Sequence, residues 1–120
     1  MATFTTIKNR GGGGGSLGGV LRYVQKEEKT TWEDWQLVSG WNCTAQSVYE
    51  EMRLTKEQFH KTDGRQYYHF VQSFDSQDNL SPQEVHAMGL ELARREFPNF
   101  EVLVATHVDT EHLHNHLVVN

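Results

Sequence analysis

The chain has 120 residues, enough for one domain with a core but little surplus. Hydrophobic residues make up 37% and charged residues 22%, which suits a globular domain, and no apolar run approaches the ~20 residues that cross a bilayer. A formal net charge of −5 argues against a general binder of nucleic acid. The N-terminus lacks the apolar stretch of a secretory signal, and the single Cys43 cannot form an internal disulfide, so a cytoplasmic location with no membrane partner is expected. Cys43 reads as a small buried hydrophobe rather than a nucleophile.

In chain order, residues 2–7, rich in Thr and apolar residues, predict a first strand. The run from Gly11 to Gly15 predicts a flexible loop over 11–16; a phosphate-cradling loop would need Lys-Ser/Thr after its glycines, and Ser16-Leu17-Gly18 follows instead. Leu17, Val20, Leu21 and Val24 recur at helical spacing, so 17–26 is a short amphipathic helix. Residues 37–43 read as a short extended segment. From Thr44 as N-cap, the face Val48, Met52, Thr55 and Phe59 predicts a helix to about Lys61, closed by a Thr62-Asp63-Gly64 turn. Residues 66–74 form a strand rich in aromatics. Ser81, Pro82 and Glu84 supply an N-cap, an N1 proline and a capping box for a helix with Val85, Met88 and Leu92 as its apolar face, ended by Pro98. Residues 100–107 and 112–120 are two further strands, and the short link between them requires an antiparallel hairpin.

These elements predict an α+β fold with an antiparallel or mixed sheet and helices packed on one face. The chain is read as a single domain over 1–120. Because the last strand is still running at Asn120, it is expected to be the N-terminal part of something longer.

Charge is unevenly spread. Residues 1–30 hold Lys8, Arg10, Arg22, Lys26 and Lys29 against Glu27 and Glu28, a net +3, and residues 53–65 carry a net +2, whereas 66–120 carry a net −6. Contacts to phosphate are therefore expected in the first third of the chain, and a cation near the acidic C-terminal part.

Between His107 and His116 lie four of the seven histidines. His114 and His116, two apart on a strand, project from one face, and a hairpin returns His107 beside them. Three neutral imidazoles with one side open suit a divalent metal. Imidazole donors alone favour Zn²⁺, Cu²⁺ or Ni²⁺ over Mn²⁺, while Mg²⁺ needs oxygen ligands from water and substrate. His112 falls at the turn and reads as a solvated residue; His60 and His86 read as surface residues of helices.

Together these segments resemble the tyrosine relaxases of conjugative and mobilisable plasmids and transposons, within the HUH (His-hydrophobe-His) endonuclease class. The resemblance covers nearly the whole chain. It is carried by His107, Asp109, Thr110, Leu113, His114, His116 and Asn120, by Tyr68, His69, Ser73 and Phe74, and by Leu21-Arg22-Tyr23-Val24 with Lys29-Thr30 and Asn42-Cys43. Asn115 takes a middle position that is usually apolar in the wider class. The resemblance implies an elaborated ferredoxin-like fold, His107, His114 and His116 as metal ligands, and Tyr23 as nucleophile. Read from the residues alone, Tyr23, Tyr49, Tyr67 and Tyr68 all compete, with a modest lead for Tyr23 in its basic segment beside Arg22, Lys26 and Lys29.

The implied reaction is transesterification. A free phenol, titrating at about pH 10, is a poor nucleophile and needs a polarised phosphate. Mg²⁺ or Mn²⁺, with Zn²⁺ as the alternative, would assist Tyr23 in nicking one strand at an origin of transfer, leaving a 5′-phosphotyrosyl link that a 3′-hydroxyl can reverse. Asp109 would accept the tyrosine proton or orient a ligand imidazole. His69 and Ser73, on one strand face, would meet DNA. Single-stranded DNA, relaxosome accessory proteins and a coupling protein are the implied partners. Two rival readings are a His-ligated zinc protein without nuclease activity and a fragment that binds DNA or the relaxosome without cutting.

Overall fold

The computed structural model describes residues 2–7, 16–61 and 64–120. The glycine run, Lys8 and Arg10, and Thr62 with Asp63 of the expected turn lie outside the described residues. Five strands form one antiparallel sheet: β1 (Thr3–Ile7), β4 (Val38–Trp41), β5 (Tyr68–Ser73), β6 (Val102–His107) and β7 (His114–Val119), in the order β1-β5-β7-β6-β4. A separate two-stranded ladder joins β2 (Thr31–Trp32) to β3 (Trp35–Gln36). The helices are α1 (Leu17–Val24), α2 (Glu27–Thr30), α3 (Val48–Gln58) and α4 (Pro82–Glu96).

The chain adopts the α+β class and antiparallel sheet expected from sequence. The helices, however, cover both faces. On one face Leu17, Leu21 and Val24 of α1 and Val48 and Met52 of α3 pack against Leu103, Ala105 and Val118. On the other, Ala93 of α4 meets Val102, Val104, Leu117 and Val119. The physical reason lies in β6, which is buried along its whole length. A strand with apolar side chains alternating to both sides must be covered twice.

Two helical faces also differ from expectation. Val85, Gly89 and Ala93 are the buried residues of α4, while Met88 is exposed. A Cβ at Gly89 would sit 2.7 Å from Asn115 Nδ2 and 2.8 Å from Val104 Cγ1, so its absence lets α4 approach the sheet. Counting apolar bulk cannot find a contact made by small residues. In α3, Val48 and Met52 are buried as expected, but Phe59 is 77% exposed, and Lys56 takes the buried position with its Nζ on Asn120 Oδ1. Thr44 does not cap with its side chain. It precedes a 3-10 turn, Ala45–Ser47, and Glu51 reaches back to accept from Thr44 N and Ser47 Oγ. The Ser81 to Glu84 capping box forms reciprocally, and α4 ends at Glu96, two residues before Pro98.

Among the described residues no helix is long and apolar enough to cross a membrane.

Candidate metal centre and facing tyrosine

The site is built at one end of the β6-β7 hairpin. Register pairs His107 with His114 and Ala105 with His116, so alternation sends all three rings to the face that α1 covers. One nitrogen from each of His107, His114 and His116 lies within 4.8 Å of the others. The ring centroids of His107 and His116 are 4.0 Å apart. His107 and His116 are buried, and His114 keeps partial exposure.

Each ring is held through one nitrogen. His107 Nε2 donates to the Val24 carbonyl at 2.9 Å, and His114 Nδ1 donates to the His112 carbonyl at 3.0 Å. His116 Nδ1 lies 2.7 Å from His69 Nε2. His107 and His114, donating through one nitrogen, keep a lone pair on the other, and His116 does so in the tautomer whose Nδ1 donates to His69 Nε2. Burial pushes His69 down to about 4 and is also the first cause of the depressed values of His107 and His116, with neighbouring imidazoles adding to it in His69 and His116. Burial thus favours the neutral, ligating form of His107 and His116. Three converging imidazoles fit a divalent cation.

Tyr23, on the last turn of α1, is 45% exposed and faces this cluster. Its ring centroid is 6.1 Å from that of His107 and 6.2 Å from that of His116, edge-on to both. The carbonyl that orients His107 belongs to the next residue, Val24, so one helix end carries the phenol and orients the His107 ring. Lys26 Nζ and Lys29 Nζ each lie 5.8 Å from the Tyr23 ring centroid. Tyr49 and Tyr68 are exposed elsewhere, and Tyr67 is buried in the core.

Lys29 is brought in by backbone bonds: Val108 N donates to Lys29 O, and Leu37 N to Thr30 O. Its ammonium pairs with Asp109 Oδ2 at 3.1 Å. Burial alone would raise the Asp109 carboxyl, but the hydrogen bond and charge of Lys29 outweigh it and hold Asp109 below the usual range. The hydrogen bond and charge of Asp109 raise Lys29 in turn. The structure therefore joins Asp109 to Lys29.

Ser73 pairs with His114 in the β5-β7 register and is partly exposed on the histidine face. Arg22 is exposed beside Tyr23. His69 is expected, with Ser73, to meet DNA. It is 7% exposed and bonded to His116, because its position on β5 falls under the core helices rather than at the open end. His112 stays outside the cluster, contributing only its carbonyl, and His60 is exposed.

His86 is half-buried rather than an exposed helix residue. Its Nε2 meets Ser39 Oγ at 2.7 Å and its Nδ1 meets Thr106 Oγ1 at 2.8 Å, and burial pushes the ring below its ordinary value. Thr106 donates onward to Asn115 Oδ1, and Asn115 Nδ2 donates to Gln72 Oε1 at 2.9 Å and to the Val85 carbonyl at 2.7 Å. This chain of polar groups lies on the sheet face opposite the histidine cluster. Its sequence signal was available: Thr106 and Asn115 each adjoin a histidine of the cluster and so, by strand parity, point the other way.

The family landmarks outside the site have structural work. Asn42 adopts φ 60° and donates to the Pro98 and Phe100 carbonyls. Cys43 Sγ contacts Val102 O, and burial pushes its thiol up to about 11, which leaves it an unreactive thiol. Asn120 links Met52 O and Glu101 Oε1 through its amide.

Residues 23–120 match the family described as "Relaxase: MobA/VirD2-like, nuclease domain". The chain belongs to this relaxase nuclease family. The match begins at Tyr23, the residue that faces the histidines. Individual relatives agree. A protein rlx of Staphylococcus aureus is 39% identical over 82 residues, covering 68% of this chain and 24% of that protein. A second rlx protein from that organism is 38% identical over 82 residues, covering 68% and 26%. The group II intron-interrupted relaxase LtrB of Lactococcus lactis subsp. cremoris is 38% identical over 74 residues, covering 58% of this relaxase-family chain and 13% of LtrB. The chain thus spans about a quarter or less of the relatives it matches. No solved structure matches it.

Proposed function

We propose that this chain carries the nucleophile and metal ligands of a DNA relaxase that nicks one strand at an origin of transfer and can reseal it. The observation that carries the reading is the meeting of one tyrosine with three converging histidines from the far end of the chain, with Tyr23 6.1 Å from His107 and 6.2 Å from His116 between ring centroids. His107, His114 and His116 would hold a divalent cation, Mg²⁺ or Mn²⁺ in preference to Zn²⁺. When bound, it supplies Lewis-acid charge to offset the negative charge on the scissile phosphate.

The chain's own residues do the rest. The Tyr23 hydroxyl oxygen forms a bond to phosphorus as the bond from phosphorus to the 3′-oxygen breaks. The products are a 5′-phosphotyrosyl strand and a free 3′-hydroxyl, which receives a proton as the phenol loses one. One phosphoester replaces another, so attack by a 3′-hydroxyl restores the strand. Lys26 and Lys29 supply positive charge beside the phenol. A carboxylate held below its ordinary range is a weak proton acceptor, so Asp109 serves by keeping Lys29 in position. His69 orients the His116 ring, while Ser73 and Arg22 contact the DNA strand. The substrate is single-stranded DNA, and relaxosome accessory proteins and a coupling protein are the partners of the whole protein.

The test is a covalent adduct. The chain, alone and extended toward the length of its relatives, is incubated with Mn²⁺ and single-stranded origin oligonucleotides, then resolved under denaturing conditions and mapped by mass spectrometry. An adduct on Tyr23 is expected, lost in Tyr23→Phe and on chelation. An adduct that persists in Tyr23→Phe, or no adduct with either length, overturns the reading.

A further inference from the structure

We propose that Asn115, the residue between the paired histidines, is a positioning residue for the metal centre, acting from the opposite face of the sheet through Thr106 and Gln72. The inference rests on the reading of His107, His114 and His116 as metal ligands. Asn115 is fully buried, and every hydrogen-bonding atom of its amide is used. Oδ1 accepts from Thr106, which is itself fully buried, and Nδ2 donates to Gln72 on β5 and to the Val85 carbonyl on α4.

The placement explains why an amide stands where an apolar residue would pack. Thr106 and Asn115 are cross-strand partners in the β6-β7 register. Each is adjacent to a ligand: Thr106 to His107, and Asn115 to both His114 and His116. A side-chain bond between them locks the hairpin at the pair beside His107 and His114. Gln72 pairs with Asn115 across the β5-β7 register and ties in the third strand, while Val85 ties in α4. His86 extends the chain to Ser39 on β4. Four strands and one helix are thus fastened at the level where the ligands leave the backbone. A one-residue slip would turn the histidines to the wrong face. The site also commits a neighbour: Gly89 has no Cβ because one would lie 2.7 Å from Asn115 Nδ2.

Supporting groups of this kind typically change metal affinity by about 10–100-fold when removed. Mn²⁺ affinity of the full 120-residue chain is measured by calorimetric titration and electron paramagnetic resonance, well below each variant's melting midpoint so that only folded protein is read. Asn115→Ala is expected to weaken Mn²⁺ binding at least about tenfold. Gln72→Met, at a partly exposed position, removes one acceptor and is expected to weaken binding by a smaller factor; Gln72→Glu keeps an acceptor oxygen and is expected to restore it. A purely structural role would lower the melting midpoint without changing the affinity of the folded molecules. Folded variants that bind Mn²⁺ like the parent overturn the proposal. If Asn115→Ala does not fold, the contrast between Gln72→Met and Gln72→Glu decides it, and equal affinities in that pair overturn it. Failure of the parent chain itself to bind Mn²⁺ overturns the metal reading beneath it, a result distinct from equal binding by parent and variants.

Discussion

Replacing Gly89 by alanine tests how closely α4 packs against the hairpin that carries the histidines. In an exposed helix interior this change is favourable by about 0.8–1 kcal/mol, because alanine restricts the unfolded backbone. Here the new Cβ would lie 2.7 Å from Asn115 Nδ2 and 2.8 Å from both Asn115 Cγ and Val104 Cγ1. Carbon contacts are optimal at about 3.5–4.0 Å. Neither neighbour gives way easily, since Val104 is fully buried and the Asn115 amide is held by Thr106, Gln72 and Val85. Overpacking of this kind costs about 1–3 kcal/mol, and three simultaneous overlaps put it in the upper half. The net expectation is a loss of about 1–2 kcal/mol, or roughly 4–8 °C in melting midpoint for a domain of this size. Gly19 in α1 is the internal control. A Cβ there meets only Ser16 atoms at 3.5 and 3.6 Å, so Gly19→Ala should stabilise by about 0.4–1 kcal/mol. Thermal melts of the two variants against the parent should therefore move in opposite directions. A Gly89→Ala midpoint equal to or above the parent would refute the close approach.

Acid should weaken the fold partly through His86. Burial lowers its pKa, so below about pH 6.5 the unfolded chain binds more protons than the folded one, and stability present above that value is lost as pH falls. Urea melts between pH 7.5 and 5 should show a shallower decline for His86→Gln than for the parent. Ser81→Ala removes one half of the capping box and should cost about 1 kcal/mol in the same melts, with no change in Mn²⁺ affinity. Asp109→Asn breaks the pair with Lys29 at the surface, so the melting midpoint should barely move while the yield of covalent adduct falls. A large drop in midpoint without loss of adduct would mean that the pair serves the fold instead.

Much of the site was legible because its signals are local. Strand parity alone sends His114 and His116 to one face, and the short link back to β6 returns His107 to them. The capping box at Ser81 is likewise a matter of spacing along four residues. What could not be read was long-range placement. His86 and Met88 look alike in a helical pattern until the small residues Gly89 and Ala93 show which side lies against the sheet. The contacts of His69 and Asp109 are with partners 47 and 80 residues away.

By itself, then, the sequence determined the hairpin of histidines, the α+β class and the basic segment around Tyr23, since each follows from residue spacing, periodicity or local charge, while it left the sheet antiparallel or mixed. Only the tertiary structure decided that Tyr23 faces that hairpin, that Asp109 pairs with Lys29, and that the buried Asn115 amide bonds to Thr106, Gln72 and Val85 on the opposite face. Those facts depend on which side of a helix or strand meets its neighbour. That choice is made by packing across the whole core, where one missing Cβ at Gly89 counts as much as any motif.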